Sequence, residues 1–315
     1  MSNTTSSGPR PSVLERLAAG PISWGVCEVP DWGIQLSPDR VLGEMRSLGI
    51  RATEAGPDGW LGYDPAATRA LLDHDGLELV GGFLPLVLHD PTRLGASLDK
   101  VRRTAQLYVE LGAGVICSAA VVDDDWAPRV ELSTAEWDHL LRGLGLVDEL
   151  VGEYGVAQTF HPHWGTLVET DEELKRVFDN TAVSICLDTG HLSLGGSDPL
   201  EIARDFGSRV GHVHLKDVRS NVVAELRAGE FGLVAAVQAG LFQPLGAGDV
   251  AVDEVVGTLE RSGYGGWYVL EQDTALTAGV PNAGEGPVND VRRSIDFLRA
   301  AAPETTHVSN ASKGG

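Results

Sequence analysis

Two short runs decide the architecture: Val183-Ser-Ile-Cys-Leu-Asp-Thr-Gly-His191 and Val210-Gly-His-Val-His-Leu-Lys-Asp217. Each is an apolar stretch of strand length that ends in carboxylate, imidazole or ammonium groups. A polar, helix-patterned segment separates them, which is the sign of a βαβ unit and a parallel sheet. Outward from this pair the same rhythm recurs. Strands are expected at Gly20–Trp24, Ala52–Ala55, Leu77–Phe83, Gly114–Ala119, Val156–Phe160 and Gly266–Glu271, which with Val183–Leu187 and Val210–His214 make eight. Between them, Pro38–Leu48, Ser97–Leu111, Ser133–Glu153, Thr170–Phe178, Asp253–Ser262 and Val288–Ala301 return apolar residues every three or four positions, the period of a half-buried helix. Eight strands with helical crossovers point to a closed α/β barrel, the (β/α)8 TIM barrel, before an open sheet.

Local signals support these limits. Ser133 stands three residues before Glu136 and Thr170 three before Glu173, both capping-box spacings, and Ser37 precedes Pro38. Gly49, Gly76, Gly112, Gly155 and Gly263 each fall at a helix end just before the next strand. One connection breaks the rhythm: Lys216–Val250 is a long insertion between strands seven and eight, expected to cover the catalytic face. Residues 1–12 and 303–315 are small and polar and are expected to be disordered tails around a barrel spanning 13–302.

Composition excludes several function classes. The 315 residues carry a formal net charge of −21, which repels a phosphate backbone and argues against nucleic acid as a partner. No apolar run approaches the roughly 20 residues of a membrane span, and no secretory signal opens the chain. Cys27, Cys117 and Cys186 fall singly, which fits a reducing cytoplasm rather than a disulfide framework.

In such a barrel the strand ends form the active face. Strand five runs into His161-Pro-His163, strand six into Asp188-Thr-Gly-His191, strand seven through His212-Val-His214-Leu-Lys216, and strand eight into Glu271-Gln-Asp273. His161 to Asp188 is 27 residues and Asp188 to His214 is 26, about one βα unit each; His214 to Glu271 is 57, one unit plus the insertion. Neighbouring strands thus bring imidazole, carboxylate, imidazole and carboxylate to one mouth. That mixed set suits Mn²⁺, Co²⁺, Zn²⁺ or Fe²⁺. Alternation along a strand lets either member of His161/His163 and of His212/His214 face the site. Glu54 and Lys216 are further charged groups at the mouth, and Trp24, Trp60 and Trp164 are candidates for an aromatic wall against a sugar ring.

The segments Gly20-Pro-Ile-Ser-Trp-Gly, Ala52-Thr-Glu-Ala-Gly-Pro-Asp-Gly, His161-Pro-His-Trp-Gly-Thr, Cys186-Leu-Asp-Thr-Gly-His, Gly211-His-Val-His-Leu-Lys-Asp-Val and Tyr268-Val-Leu-Glu-Gln-Asp closely resemble the inosose dehydratase family of the xylose-isomerase-like barrels. The resemblance runs from about Gly20 to Leu298. It implies dehydration of a keto-inositol such as 2-keto-myo-inositol in inositol breakdown, with Mn²⁺ or Co²⁺. It also selects His161, Asp188, His214 and Glu271 as metal ligands, leaving His163 and His212 beside the metal or against substrate. Epimerase relatives carry Glu, Asp, His and Glu at these strand ends, so His161 stands where they have a second carboxylate base. The departure argues against simple epimerisation and for one carbon base plus a leaving-group acid.

Loss of water from a β-hydroxyketone needs a base for the carbon proton, an acid for the departing oxygen and a Lewis acid to stabilise the enediolate. Glu271, His163, His191 and Lys216 are the expected catalytic groups; Glu54, Trp24 and His212 are expected to touch a small polyhydroxylated ketone. Rival readings are an isomerase or epimerase using the same enediolate, and a lyase expelling a larger group from a 3-keto sugar. A homo-oligomer is compatible with the sequence.

Overall fold

The computed structural model describes residues 10–301. Eight parallel strands close into a barrel: β1 (Leu17–Ala19), β2 (Ala52–Glu54), β3 (Glu78–Leu86), β4 (Val115–Ala120), β5 (Ala157–Phe160), β6 (Ser184–Asp188), β7 (Val210–Leu215) and, after two short strands β8 (Asp217–Val218) and β9 (Phe242–Gln243), β10 (Tyr268–Leu270). The ring runs β1-β10-β7-β6-β5-β4-β3-β2. Helices α1 (Pro38–Ser47), α2 (Pro65–Asp75), α3 (Leu94–Leu111), α4 (Thr134–Glu153), α5 (Asp171–Asn180), α6 (Thr189–Gly195), α7 (Pro199–Asp205), α8 (Ser220–Arg227), α9 (Leu233–Gln238), α10 (Val252–Ser262) and α11 (Pro287–Ala301) complete the chain order.

Strand alternation sorts side chains into two sets. Ile185, Leu187, Val213, Leu215, Tyr268 and Leu270 belong to the large outer core shared with the helices. The inward set begins with Ala18, Ala52, Val80 and Val269, small residues that pack a tight floor. One inward step beyond Ala52 stands Glu54, and with Asp188 of β6 and His212 and His214 of β7 it gathers with Cys117, Cys186, His161 and Glu271. Inward positions therefore change from apolar to ligand-bearing along the barrel axis, and the strand ends deliver the chemistry.

The first strand departs from expectation. Gly20–Trp24 is not a strand: Pro21–Trp24 forms a 3-10 turn, and the pairing residues are Leu17–Ala19. Pro21 has no N–H to give a ladder, so pairing stops with the bond from Gly20 N–H to the Leu270 carbonyl. The other expected strands and helices occur within a few residues of their expected limits, and both capping boxes form. Gly76, for example, takes a left-handed φ of 66° at the end of α2.

The 217–250 segment folds as an annex, with β8 and β9 antiparallel and α8 and α9 over a second small core of Val218, Val222, Leu226, Val237 and Phe242. Trp32 and Leu194 join that core from the loop after β1 and from α6. Residues 1–9 and 302–315, most of the expected tails, lie outside the described residues. Arg10, placed in the expected N-terminal tail, donates to the Tyr264 carbonyl at 3.0 Å and to the Glu260 carbonyl at 2.8 Å. No described helix is long and apolar enough to cross a membrane.

Candidate active site

At the C-terminal mouth, one ligand atom from each of His161, Asp188, His214 and Glu271 lies within 4.8 Å of all the others. His161 Nε2 and His214 Nδ1 face each other at 3.1 Å, and Asp188 Oδ2 lies 3.3 and 3.5 Å from them. Their outer ring nitrogens are committed elsewhere. His161 Nδ1 donates to the Pro162 carbonyl at 3.0 Å, and His214 Nε2 donates to Glu54 Oε1 at 3.1 Å. With the outer nitrogen so held, the inner nitrogen of each ring is the one that can be offered to a metal. Asp188 Oδ1 caps α6 through the Gly190 and His191 N–H groups, while buried Oδ2 takes no hydrogen bond. Lys216 Nζ is 3.0 Å from that oxygen, so the contact is ionic without hydrogen-bond alignment. Two imidazole nitrogens and two carboxylate oxygens, one of them the unbonded Asp188 Oδ2, converge on one point and fit a divalent cation.

Lys216 also reaches Glu271 Oε2 at 2.9 Å and Asp273 Oδ1 at 3.1 Å. Burial opposes its charge, but the carboxylates of Asp188, Asp273 and Glu271 outweigh that and hold its pKa well above the ordinary lysine value. It is a fixed cation rather than a base. Burial, aided by neighbouring His161 and Lys216, drives His163 well below the usual histidine range, so it is neutral. His163 lines the cavity, with His191 stacked behind it at 3.7 Å. His191 accepts from the Trp164 N–H at 3.2 Å and is not among the lining residues.

The expected substrate contacts are redistributed. Glu54 lines the cavity, yet its Oε1 is taken by His212 at 2.8 Å as well as by His214, so it orients the ligand histidine. His212 lies a strand step deeper, outside the lining, because residues two apart on β7 point inward at different heights. Trp24 is not at the mouth: it is fully buried in the outer core with its indole N–H donating to Glu44 Oε2 at 2.9 Å. The 3-10 turn that replaces the expected strand swings it there. Trp60 and Trp164 are also absent from the lining.

The aromatic wall comes instead from Phe83 and Trp126, stacked at 6.2 Å between centroids, with Trp32 on the opposite flank. Trp126 holds a left-handed φ of 59°, unusual for a side chain of this size, and it follows an Asp123-Asp-Asp run that offered no sequence cue to an aromatic wall. Asp273 was more legible, being two residues beyond Glu271 and therefore on the same side of the chain. Gly20 supplies the space for Glu271: a Cβ there would stand 2.6 Å from Glu271 Oε1. The mouth cavity, about 70 Å³, is bounded by Leu233 of the annex and adjoins a second of about 180 Å³, the two sharing Glu28, Gly56, Pro57, Phe83 and Trp126 in their linings.

Comparison with known proteins agrees with this geometry. Residues 42–301 match the model of the xylose isomerase-like TIM barrel family. An inosose dehydratase of Geobacillus kaustophilus (strain HTA426) is 33% identical, over 83% of this chain and 89% of its own. A rhizopine catabolism protein, MocC, of Rhizobium meliloti is 33% identical, over 82% of this chain and 81% of its own. Among solved structures, an L-ribulose 3-epimerase superposes with a TM-score of 0.66 at 15% identity, covering 91% of this chain and 94% of its own. The IOLI protein with a bound zinc atom superposes at 0.64 and 14% identity, covering 91% and 97%. At those identities the two structures bear on the fold alone, whereas the family model and the curated relatives establish kinship. The chain belongs to the xylose isomerase-like TIM barrel family, in the branch that holds the inosose dehydratases.

Proposed function

We propose that the protein is a divalent-metal-dependent hydro-lyase that removes water from a keto-inositol such as 2-keto-myo-inositol, in the breakdown of inositol. Kinship to inosose dehydratases supports the substrate class. The observation that carries the chemistry is the pair of inner ring nitrogens, their outer nitrogens held by Pro162 and Glu54, that converges with two carboxylates. His161, Asp188, His214 and Glu271 would hold the ion, with Mn²⁺ or Co²⁺ suited to the mixed nitrogen and oxygen set. A bound ion supplies Lewis acidity to the carbonyl and neighbouring hydroxyl oxygens of the substrate.

The chain's own groups do the rest. His163, neutral and open to the cavity, is placed to take the carbon proton, and stacking on His191 fixes its ring. Glu271 is engaged by Lys216 and His214, which suits it to ligation rather than to proton abstraction. The Lys216 ammonium offsets the carboxylate charge and stands where a developing oxyanion gains from a fixed cation. Phe83 and Trp126 offer an apolar wall to the ring, and Leu233 limits access of water. The enzyme works in a reducing cytoplasm, a setting that suits its three free cysteines.

The test incubates protein loaded with Mn²⁺ or Co²⁺ with a panel of keto-inositols and follows loss of one water by mass. An ultraviolet-absorbing diketone is expected, its formation stopped by chelator. Epimerised substrate without dehydrated product, with both metals tried, would overturn the dehydratase reading in favour of an epimerase.

A further inference from the structure

An elimination of water moves two protons, and the groups assigned so far account for one. A proton donor must stand at the cavity, carry its proton before the step, and be free of competing partners. Lys216 fails the last condition, with three carboxylates around its ammonium. His163 donates its Nδ1 proton to the Trp164 carbonyl at 2.8 Å, which leaves Nε2 to meet the cavity.

Glu28 satisfies all three. It lies in the loop between the 3-10 turn and α1, and it lines both the mouth cavity and the adjoining larger one. It is half-buried, and no side chain among the described residues donates a hydrogen bond to its carboxylate. Burial raises its pKa to about 7; the Glu271 and Asp273 carboxylates push the same way and the Lys100 ammonium pushes back. Burial, the first cause, does not depend on the occupancy of the metal site.

Resting on the dehydratase reading above, we propose that Glu28 is the catalytic acid that protonates the departing β-hydroxyl. His163 takes the proton from the carbon beside the carbonyl, and that C–H electron pair becomes the new carbon–carbon double bond. The C–O bond breaks with its electrons on oxygen, which receives the Glu28 proton and leaves as water. Glu28 remains as a carboxylate and His163 as an imidazolium. Return of the His163 proton through solvent to Glu28 restores both, and no oxidant or reductant is involved.

The experiment compares the metal-loaded full chain with its Glu28→Gln variant on 2-keto-myo-inositol and on the analogue whose β-hydroxyl is replaced by fluorine. Fluoride departs without a proton, so it needs no acid. The variant is expected to lose about 10²- to 10³-fold in dehydration turnover. It should keep its metal, its exchange of the carbon proton for solvent deuterium, and fluoride elimination near the wild-type rate, which also certifies its folding. Wild-type dehydration by the variant, or loss of deuterium exchange and fluoride elimination together with dehydration, would overturn the role of Glu28 alone. Failure of the wild-type protein to dehydrate any keto-inositol would overturn the dehydratase reading and this role with it.

Discussion

Asp188 serves the fold with one oxygen and the site with the other. Oδ1 accepts from Gly190 N–H at 2.9 Å and His191 N–H at 2.8 Å, and Oδ2 faces the converging imidazoles. Two substitutions separate these roles. Asp188→Ala should lose bound metal and also about 1 kcal/mol of stability, the usual cost of removing a helix cap. Asp188→Asn keeps a carbonyl oxygen for the cap and should lose metal with little change in melting temperature. Metal analysis and calorimetry on both variants check this; equal destabilisation would show that the cap contributes nothing. The ligand residue types and their spacing were legible in the sequence, because ligands must lie at strand ends one βα unit apart. The choice of His161 over His163 was not, because alternation permits both. It is decided by contacts between strand ends: His161 Nε2 meets His214 Nδ1, 53 residues on, at 3.1 Å and Asp188 Oδ2 at 3.3 Å.

Among elements, the annex depends on one carboxylate. Buried Asp217 accepts at Oδ1 from the N–H of Val218 and Val250, and at Oδ2 from Gly246 and Gly248. These bonds tie the start of the annex to its end, and a Cβ on Gly248 would stand only 2.3 Å from Asp217 Oδ1. Asp217→Asn keeps one acceptor oxygen and turns an amide against the other donors. It should cost about 2–4 kcal/mol through unsatisfied N–H groups, open the 217–250 segment to limited proteolysis, and depress turnover while metal content holds. Unchanged protease resistance would refute the clasp. The sequence showed the annex as an over-long connection, but not that it would build its own core around Trp32 and Leu194, since that core is drawn from three separate stretches of chain.

At the scale of the whole molecule, the barrel closes where three-residue β1 pairs with β10. Few ladder bonds are possible there, and a buried cation reinforces the seam. Arg16 donates to the Tyr264 and Gly266 carbonyls at 3.1 and 3.0 Å, pairs with Glu260 at 2.6 Å, and lies over the Tyr268 ring. Arg16→Ala should cost about 3 kcal/mol, because it strips partners from buried acceptors and from a partly buried carboxylate. Urea denaturation measures that cost, and a loss within about 0.5 kcal/mol would mean that strand pairing alone holds the seam. Seven of the eight strands, most of the longer helices, the two capping boxes and the ring of polar strand ends were determined by the sequence alone, because each follows from a short-range period or spacing. The tertiary structure alone decided that the first strand is Leu17–Ala19, that Trp24 is core while Phe83 and Trp126 form the wall, that His212 lies below the site, and that Glu28 opens onto the cavity. Those outcomes depend on which side of a turn a chain leaves and on what packs against it from distant segments, and no local pattern of residues carries that information.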